Sequence, residues 1–146
     1  MYRGSYSGVT IIELILSISI FLILGTLSTA FYSRFINQNS ISNVQDSIVS
    51  QLRKAQIYSM AGKQNKTWGV YYASNNLVLF NGTSYLTRNS AFDEIVVVNS
   101  AVNVSGLSEV VFARVTGVPN TTVSIAITSN SQSKSISVNS LGVVSK

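Results

Sequence analysis

The feature that most constrains this chain is a run of twenty residues without a charge, from Leu14 to Ser33. Most of these residues are Ile, Leu, Phe or small, and hydroxyls within the run can donate to carbonyls of the preceding helical turn. Twenty helical residues span about 30 Å, the thickness of a bilayer's hydrocarbon core. The run therefore predicts a helix in a membrane or in an apolar helix bundle. The alternative is a buried helix of a soluble protein, but the remaining chain is too small to surround a helix that is apolar on every face.

The composition of the 146-residue chain argues against an enzyme. The chain has no cysteine, which excludes disulfides, thiolate nucleophiles and thiolate metal sites. It has no histidine either, and histidine is the commonest acid–base catalyst and metal ligand. We therefore expect no catalytic residue, no metal site and no cofactor.

After Arg34 the sequence takes on the pattern of an amphipathic helix. Apolar residues recur there at spacings of three and four, namely Ile41, Val44, Ile48, Leu52 and Ala55. This spacing predicts a helix with one buried stripe that ends near Gly62. Because neither Pro nor Gly lies between Gly25 and Gly62, the apolar and the amphipathic patterns can share one helix.

The rest of the chain, residues 63–146, is predicted to form a β-rich head. Short apolar runs and alternating segments indicate strands. They are Trp68–Tyr72, Leu77–Phe80, Ile95–Val98, Val102 with Val104, Val110–Val115, Val123 to Ile127, Ile136 with Val138, and Val143-Val144. Aromatic residues in such strands are expected to be core and cross-strand partners rather than a stacking platform.

Turn signals separate these runs. Ser74-Asn75-Asn76 predicts a hairpin between the first two strands. Asn81-Gly82 is the strongest two-residue hairpin signal in the chain, so we expect a strand to follow at Tyr85-Leu86. Ser129–Ser133 predicts the turn between the two alternating strands, and Asn139–Gly142 predicts a last turn.

A short motif, Gly8-Val9-Thr10-Ile11-Ile12-Glu13-Leu14, leads into the uncharged run. In a secretory signal peptide the apolar core precedes the small residues of the cleavage site, whereas here the small residue comes first. This order resembles the class III signal of type IV prepilins and of type II secretion pseudopilins. The resemblance implies that a membrane peptidase cleaves after Gly8 and N-methylates Val9, which becomes the mature N-terminus.

Glu13 is the most informative residue of this motif, because an acidic side chain at the centre of a membrane helix costs about 2.5–3.5 kcal/mol. The resemblance implies that Glu13, together with the neighbouring Thr10, acts in assembly. Its carboxylate would neutralise the terminal ammonium of a neighbouring subunit and so fix the axial register, because a slip leaves both charges unpaired. A favourable interaction with the positive end of the helix dipole is the alternative, and both effects can hold together.

Further segments resemble the GspH/FimT-like branch of pseudopilins and minor pilins. They are Leu52–Gln56, Trp68–Tyr72, Ile136–Val138 and Leu141–Val143. The resemblance implies an α+β fold in which a long N-terminal α-helix, apolar in its first half and amphipathic in its second, packs against small antiparallel β-sheets. The expected organisation is a leader peptide over 1–8, a transmembrane or filament-core helix over 9–33, the amphipathic half of that helix over 34–62, and the head.

The resemblance implies a structural subunit of a type IV pilus-like filament. Its expected partners are other pilin subunits, the prepilin peptidase and methyltransferase, and an inner-membrane assembly platform. The subunit would be a single-pass inner-membrane protein before assembly and part of a cell-surface or periplasmic filament afterwards. A GspH-like pseudopilin of type II secretion is one alternative. An anchored binding protein that never polymerises is another.

A FimT-like minor pilin that binds DNA is a further alternative that the resemblance implies, although the net charge of +5 is modest and dispersed along the chain. Lys63 and Lys66 form the densest basic group, and Arg88 and Lys146 are the residues that would extend it. DNA binding needs several of these cations on one surface. A solvated face with scattered basic residues is the competing interpretation.

Overall fold

The computed structural model describes residues 8–129 and 132–146. Apart from Gly8, the leader expected at 1–8 lies outside the described residues, as do residues 130 and 131 of the turn expected at Ser129–Ser133. Within the helix, the side chains at 27–30, 33, 34 and 37 also lie outside the description.

The described chain contains one α-helix, α1, and eight strands. Their bounds are α1 Ile11–Met60, β1 Trp68–Ala73, β2 Asn76–Asn81, β3 Glu94–Val97, β4 Asn103–Ser105, β5 Glu109–Phe112, β6 Val123–Ser129, β7 Gln132–Val138 and β8 Val144–Ser145. Short 3₁₀ helices cover Lys63–Asn65, Tyr85–Thr87 and Ser90–Phe92. The chain divides into two compact units, residues 1–36 and 37–146, which are described separately below.

The prediction of a long apolar N-terminal helix is wrong, whereas two small antiparallel sheets are present. The side chains of α1 are described in two main stretches, 16 residues over 11–26 and 23 residues over 38–60, and neither is a long apolar helix. The first stretch is apolar but short, whereas the second carries charged side chains such as Asp46 and Arg53 on its outer face because only one stripe of it is buried. Among the described residues, we find no helix with the length and apolar character that a membrane crossing requires.

In the second unit, the helix ends close to the predicted position. Met60 is the last helical residue, and Gly62 adopts the left-handed conformation with φ of 62°. The Gly62 N–H donates to the Ser59 carbonyl at 3.0 Å and so satisfies one of the carbonyls at the end of the helix.

The eight strands form two antiparallel sheets. The order is β3-β2-β1-β5 in the first sheet and β4-β6-β7-β8 in the second. β1 and β2 form the predicted hairpin, with Ala73 opposite Asn76. Its two turn residues, Ser74 and Asn75, have φ of 50° and 63°, as a tight turn matched to the strand twist requires.

The hairpin predicted at Asn81-Gly82 is wrong. Asn81 remains in β2, opposite Trp68, and β2 pairs next with β3, where Leu79 faces Glu94. The segment expected to be a strand at Tyr85 is a 3₁₀ helix. The physical reason is that the outer face of the first sheet is apolar, so the chain after β2 covers that face instead of extending the sheet.

The core of the second unit is centred on the predicted stripe of α1. Ile41, Val44, Ile48, Leu52 and Ala55 are all buried. Residues of both sheets pack around this stripe, namely Trp68, Val70, Leu79, Val110 and Phe112 of the first sheet and Val104, Ile125, Ile127, Ile136, Val138 and Val144 of the second. The predicted amphipathic helix and the predicted alternation of β6 and β7 are therefore confirmed.

Truncation of the stripe is expected to destabilise the second unit. Ile48→Ala removes a fully buried side chain, and we expect a loss of about 2–5 kcal/mol in the free energy of unfolding because a cavity is left behind. Ile57→Ala is the matched control, because Ile57 lies on the same helix and is 61% exposed. Urea unfolding of the full chain in a neutral detergent measures both variants, and equal losses would contradict the assigned core.

Candidate functional site

The N-terminal motif residues lie at the start of α1. The Thr10 carbonyl accepts from the Leu14 N–H at 3.2 Å, and the Thr10 hydroxyl accepts from the Glu13 N–H at 3.4 Å. A threonine followed three residues later by a glutamate is the capping-box pattern. The described geometry therefore gives Thr10 a local role, which is to cap the helix.

Glu13 has no ion partner among the described residues. Its side chain is exposed. The ion pairs of the described residues join Lys54 to Glu94, Arg88 to Asp93 and Lys146 to Asp46, all within the second unit. Within the described chain, the Glu13 carboxylate is therefore free to pair with a charge from outside the chain.

Apolar side chains surround Glu13 on the first unit. Every large apolar residue from Val9 to Leu24 is exposed, from 49% at Ile20 to 81% at Ile11. The intervening hydroxyls are satisfied within the helix, since Ser17 donates to the Glu13 carbonyl at 2.8 Å and Ser19 donates to a carbonyl at the same distance. An exposed apolar surface of this kind marks contact with a membrane or another protein.

Nothing in the described structure requires a glycine at position 8. A Cβ added to Gly8 would have open space around it. At Gly69, in contrast, a Cβ would lie 2.6 Å from Phe80 Cζ and 2.8 Å from the Val110 carbonyl oxygen, so the fold itself excludes a side chain there. Contacts within the described residues therefore do not explain a glycine at position 8.

The structure brings together two of the four basic residues considered for DNA. Lys66 and Arg88 line one cavity. Lys63 lies 3.6 Å from the centre of the Tyr58 ring, and Lys146 lines a different groove, where it pairs with Asp46. Lys66 and Arg88 are thus the two of these cations that the structure places around one cavity.

Arg88 is held in place by three contacts. Its Nε donates to Asp93 Oδ2 at 2.7 Å, and its Nη1 donates to the Tyr85 carbonyl at 2.7 Å. The guanidinium also lies 3.7 Å from the centre of the Tyr85 ring. The hydrogen bond with Asp93 raises the pKa of Arg88, so this side chain is a fixed cation at the cavity.

Two ion pairs that the sequence did not predict join α1 to distant parts of the second unit. The Lys146 ammonium donates to Asp46 on α1, and this bond together with the charge of Lys146 lowers the pKa of Asp46. Lys54 on α1 donates to Glu94 at the start of β3, which raises the pKa of Lys54. Partners this far apart in the chain leave no local pattern in a sequence.

Comparison with known proteins adds no relative. No family model matches the chain, and no curated protein or solved structure matches it either.

The pairing of Asp46 makes a prediction about acid stability. The pKa of Asp46 is lower in the folded state than in the unfolded chain. The ion pair therefore stabilises the fold above the pKa that Asp46 has in the unfolded chain, and this stabilisation is lost as the pH falls through its folded pKa. We expect Lys146→Gln to raise the pKa of Asp46 towards its ordinary value, as measured by NMR titration of the carboxyl carbon. Lys66→Gln is the control, since Lys66 does not act on Asp46. An equal titration in both variants would show that the pair is not formed in solution.

Proposed function

We propose that this chain is a structural subunit of a type IV pilus-like filament, cleaved after Gly8 and assembled through its N-terminal segment. One observation carries the proposal. The carboxylate of Glu13 has no ion partner in the described chain, and it lies at the start of a helical segment whose described large apolar side chains are all exposed.

The exposed apolar segment must be covered by something other than water. Burying one large apolar side chain is worth about 1.5–3 kcal/mol, so the side chains from Val9 to Leu24 together strongly favour an apolar environment. Lipid can supply that environment before assembly, and the same segments of neighbouring subunits can supply it afterwards. We propose the inner membrane as the first location and a surface or periplasmic filament as the second.

Glu13 is the residue that makes the packing of these segments specific. Apolar contacts between helices tolerate many axial registers, whereas a buried charge tolerates only those in which it meets its partner. After cleavage, the new N-terminus at Val9 carries an ammonium group of the right sign. Pairing of this amine with Glu13 of a neighbouring subunit would fix the register of each added subunit.

The alternatives differ in what the head does. A type II secretion pseudopilin carries the same signal and would use the same N-terminal segment, so genes adjacent to the coding sequence would distinguish it from a pilin. A DNA-binding minor pilin has less support. Lys66 and Arg88 line one cavity, whereas Lys63 packs on the Tyr58 ring and Lys146 pairs with Asp46. An anchored protein that never polymerises is separated from the proposal by the tests that follow.

Cleavage is expected to depend on Gly8. In cells that contain a prepilin peptidase, the mature protein should begin at N-methylated Val9, and Gly8→Val should leave the leader attached. Gly25→Ala is the control, because a Cβ at either glycine meets open space in the described structure and folding is unaffected. Intact-mass spectrometry of purified protein reads the result, and a native protein that still begins at Met1 would overturn the processing step.

Filament formation is expected to depend on the charge of Glu13. Glu13→Leu and Glu13→Gln should both be processed normally and remain in the membrane, yet they should form no filaments because the amine of a neighbouring Val9 is left unpaired. Glu109→Gln, which removes a carboxylate from the head, should assemble as the native protein does. Electron microscopy of sheared filaments measures the outcome, and normal filaments from Glu13→Leu would contradict the role of Glu13.

A further inference from the structure

A polar cavity of about 440 Å³ lies in the head where β2 ends. Its volume falls within the range of about 300–1,000 Å³ that is usual for small-molecule sites. We call it the donor pocket, and its defining side chains are Lys66, Asn81, Thr83, Thr87, Arg88 and Ser90. Neither the filament proposal nor the N-terminal motif assigns a role to it.

Two cationic side chains line the donor pocket, and an ion pair with Asp93 at 2.7 Å offsets the charge of one of them, Arg88. Lys66 and Arg88 both line it, and among the residues that line it there is no Asp or Glu. The carboxylate partner of Arg88, Asp93, is not a lining residue. Asp93 accepts from the Arg88 Nε and the Tyr85 carbonyl accepts from Nη1, whereas Nη2 makes no hydrogen bond to the described residues.

Asn81 gives an independent indication of a missing partner. It lines the pocket and is 4% exposed, and its side-chain Nδ2 has no hydrogen-bond acceptor among the described residues. Its backbone is fixed, because its carbonyl accepts from the Asn89 N–H at 3.0 Å. A buried amide normally finds a partner.

The aromatic rings near the pocket are already occupied. Tyr85 stacks on Tyr71 with ring centres 3.8 Å apart, and the Arg88 guanidinium lies on the Tyr85 ring. Both faces of Tyr85 are therefore covered, and no aromatic side chain lines the pocket. Proteins that bind single-stranded nucleic acid stack bases on exposed aromatic rings, so the pocket does not have the character of a base-binding site.

We propose that the donor pocket binds a sugar phosphate. The two cations suit a phosphate group, because charge-assisted hydrogen bonds from Lys and Arg to phosphate oxygens are among the strongest in proteins. The hydroxyls of Thr83, Thr87 and Ser90 suit the hydroxyl groups of a sugar. The volume of the pocket leaves room for a sugar beside the phosphate. This inference does not rest on the filament proposal, and either can fail without the other.

The test uses the full chain in a neutral detergent and glucose 1-phosphate as the probe. Binding is measured by calorimetry at fixed ionic strength, with glucose and inorganic phosphate as partial ligands. We expect glucose 1-phosphate to bind more tightly than inorganic phosphate and glucose to bind least. Equal binding of glucose 1-phosphate and inorganic phosphate would overturn the sugar assignment, and the absence of binding by either would overturn the site.

Variants locate the binding. Lys66→Ala should weaken the affinity for glucose 1-phosphate about tenfold, as the loss of one charge-assisted hydrogen bond predicts. Lys63→Ala is the matched control, since it removes the same charge from a neighbouring position outside the pocket. Equal weakening by the two variants would show that general charge attraction, not the pocket, accounts for the binding.

Asn81→Asp tests the orphaned amide, because it keeps the side-chain shape but replaces a donor with a negative charge. We expect it to abolish binding. Since Asn81 is buried, Thr83→Ala serves as a second variant that leaves the strands intact, and we expect weaker binding of glucose 1-phosphate with no change for inorganic phosphate. A single-stranded oligonucleotide that binds more tightly than glucose 1-phosphate would assign the pocket to a nucleic acid and overturn the proposal.

Discussion

The head depends on the burial of one stripe of α1 between two sheets. Ile48 and Leu52 are fully buried and belong to a core that includes residues of both sheets. Polar contacts align the helix along this stripe. The Gln45 Nε2 donates to the Ser135 carbonyl of β7 at 3.0 Å, and the Ser59 hydroxyl accepts from the Trp68 N–H of β1 at 2.8 Å. Without cysteines, these contacts and the apolar core hold the sheets to the helix.

The donor pocket forms because the chain after β2 covers the apolar outer face of the first sheet. Gly69 has no side chain, so the ring of Phe80 on the paired strand lies over it. Tyr85 then packs edge-on against Phe80, with ring centres 5.9 Å apart, and brings the chain after β2 back across the sheet. The Arg88 guanidinium packs on the Tyr85 ring and holds this segment in place. The donor pocket lies between this segment and Asn81 at the end of β2.

The spacing of apolar residues in the sequence was enough to predict those helices and strands that bury only one of their faces. The stripe of α1 and the alternation in β6 are visible because each leaves its apolar residues at a regular spacing. The Asn81-Gly82 hairpin was wrong for a physical reason, since a sheet covered on both faces no longer requires the next segment to be a strand. Ion pairs such as Lys54 with Glu94 could not be predicted, because no local pattern records contacts between residues distant in the chain.

Residues of the N-terminal motif differ from core residues in how far contacts within the structure explain their identity. Gly69 and Ile48 are fixed by close contacts, so their identity is explained within the head. Gly8 meets no contact in the described chain, and Glu13 has a place in the first turn of α1 after Thr10 but no ion partner there. Under the filament proposal, the groups that recognise Gly8 and Glu13 belong to other molecules. A sequence motif can indicate such residues, whereas the packing of a single chain cannot.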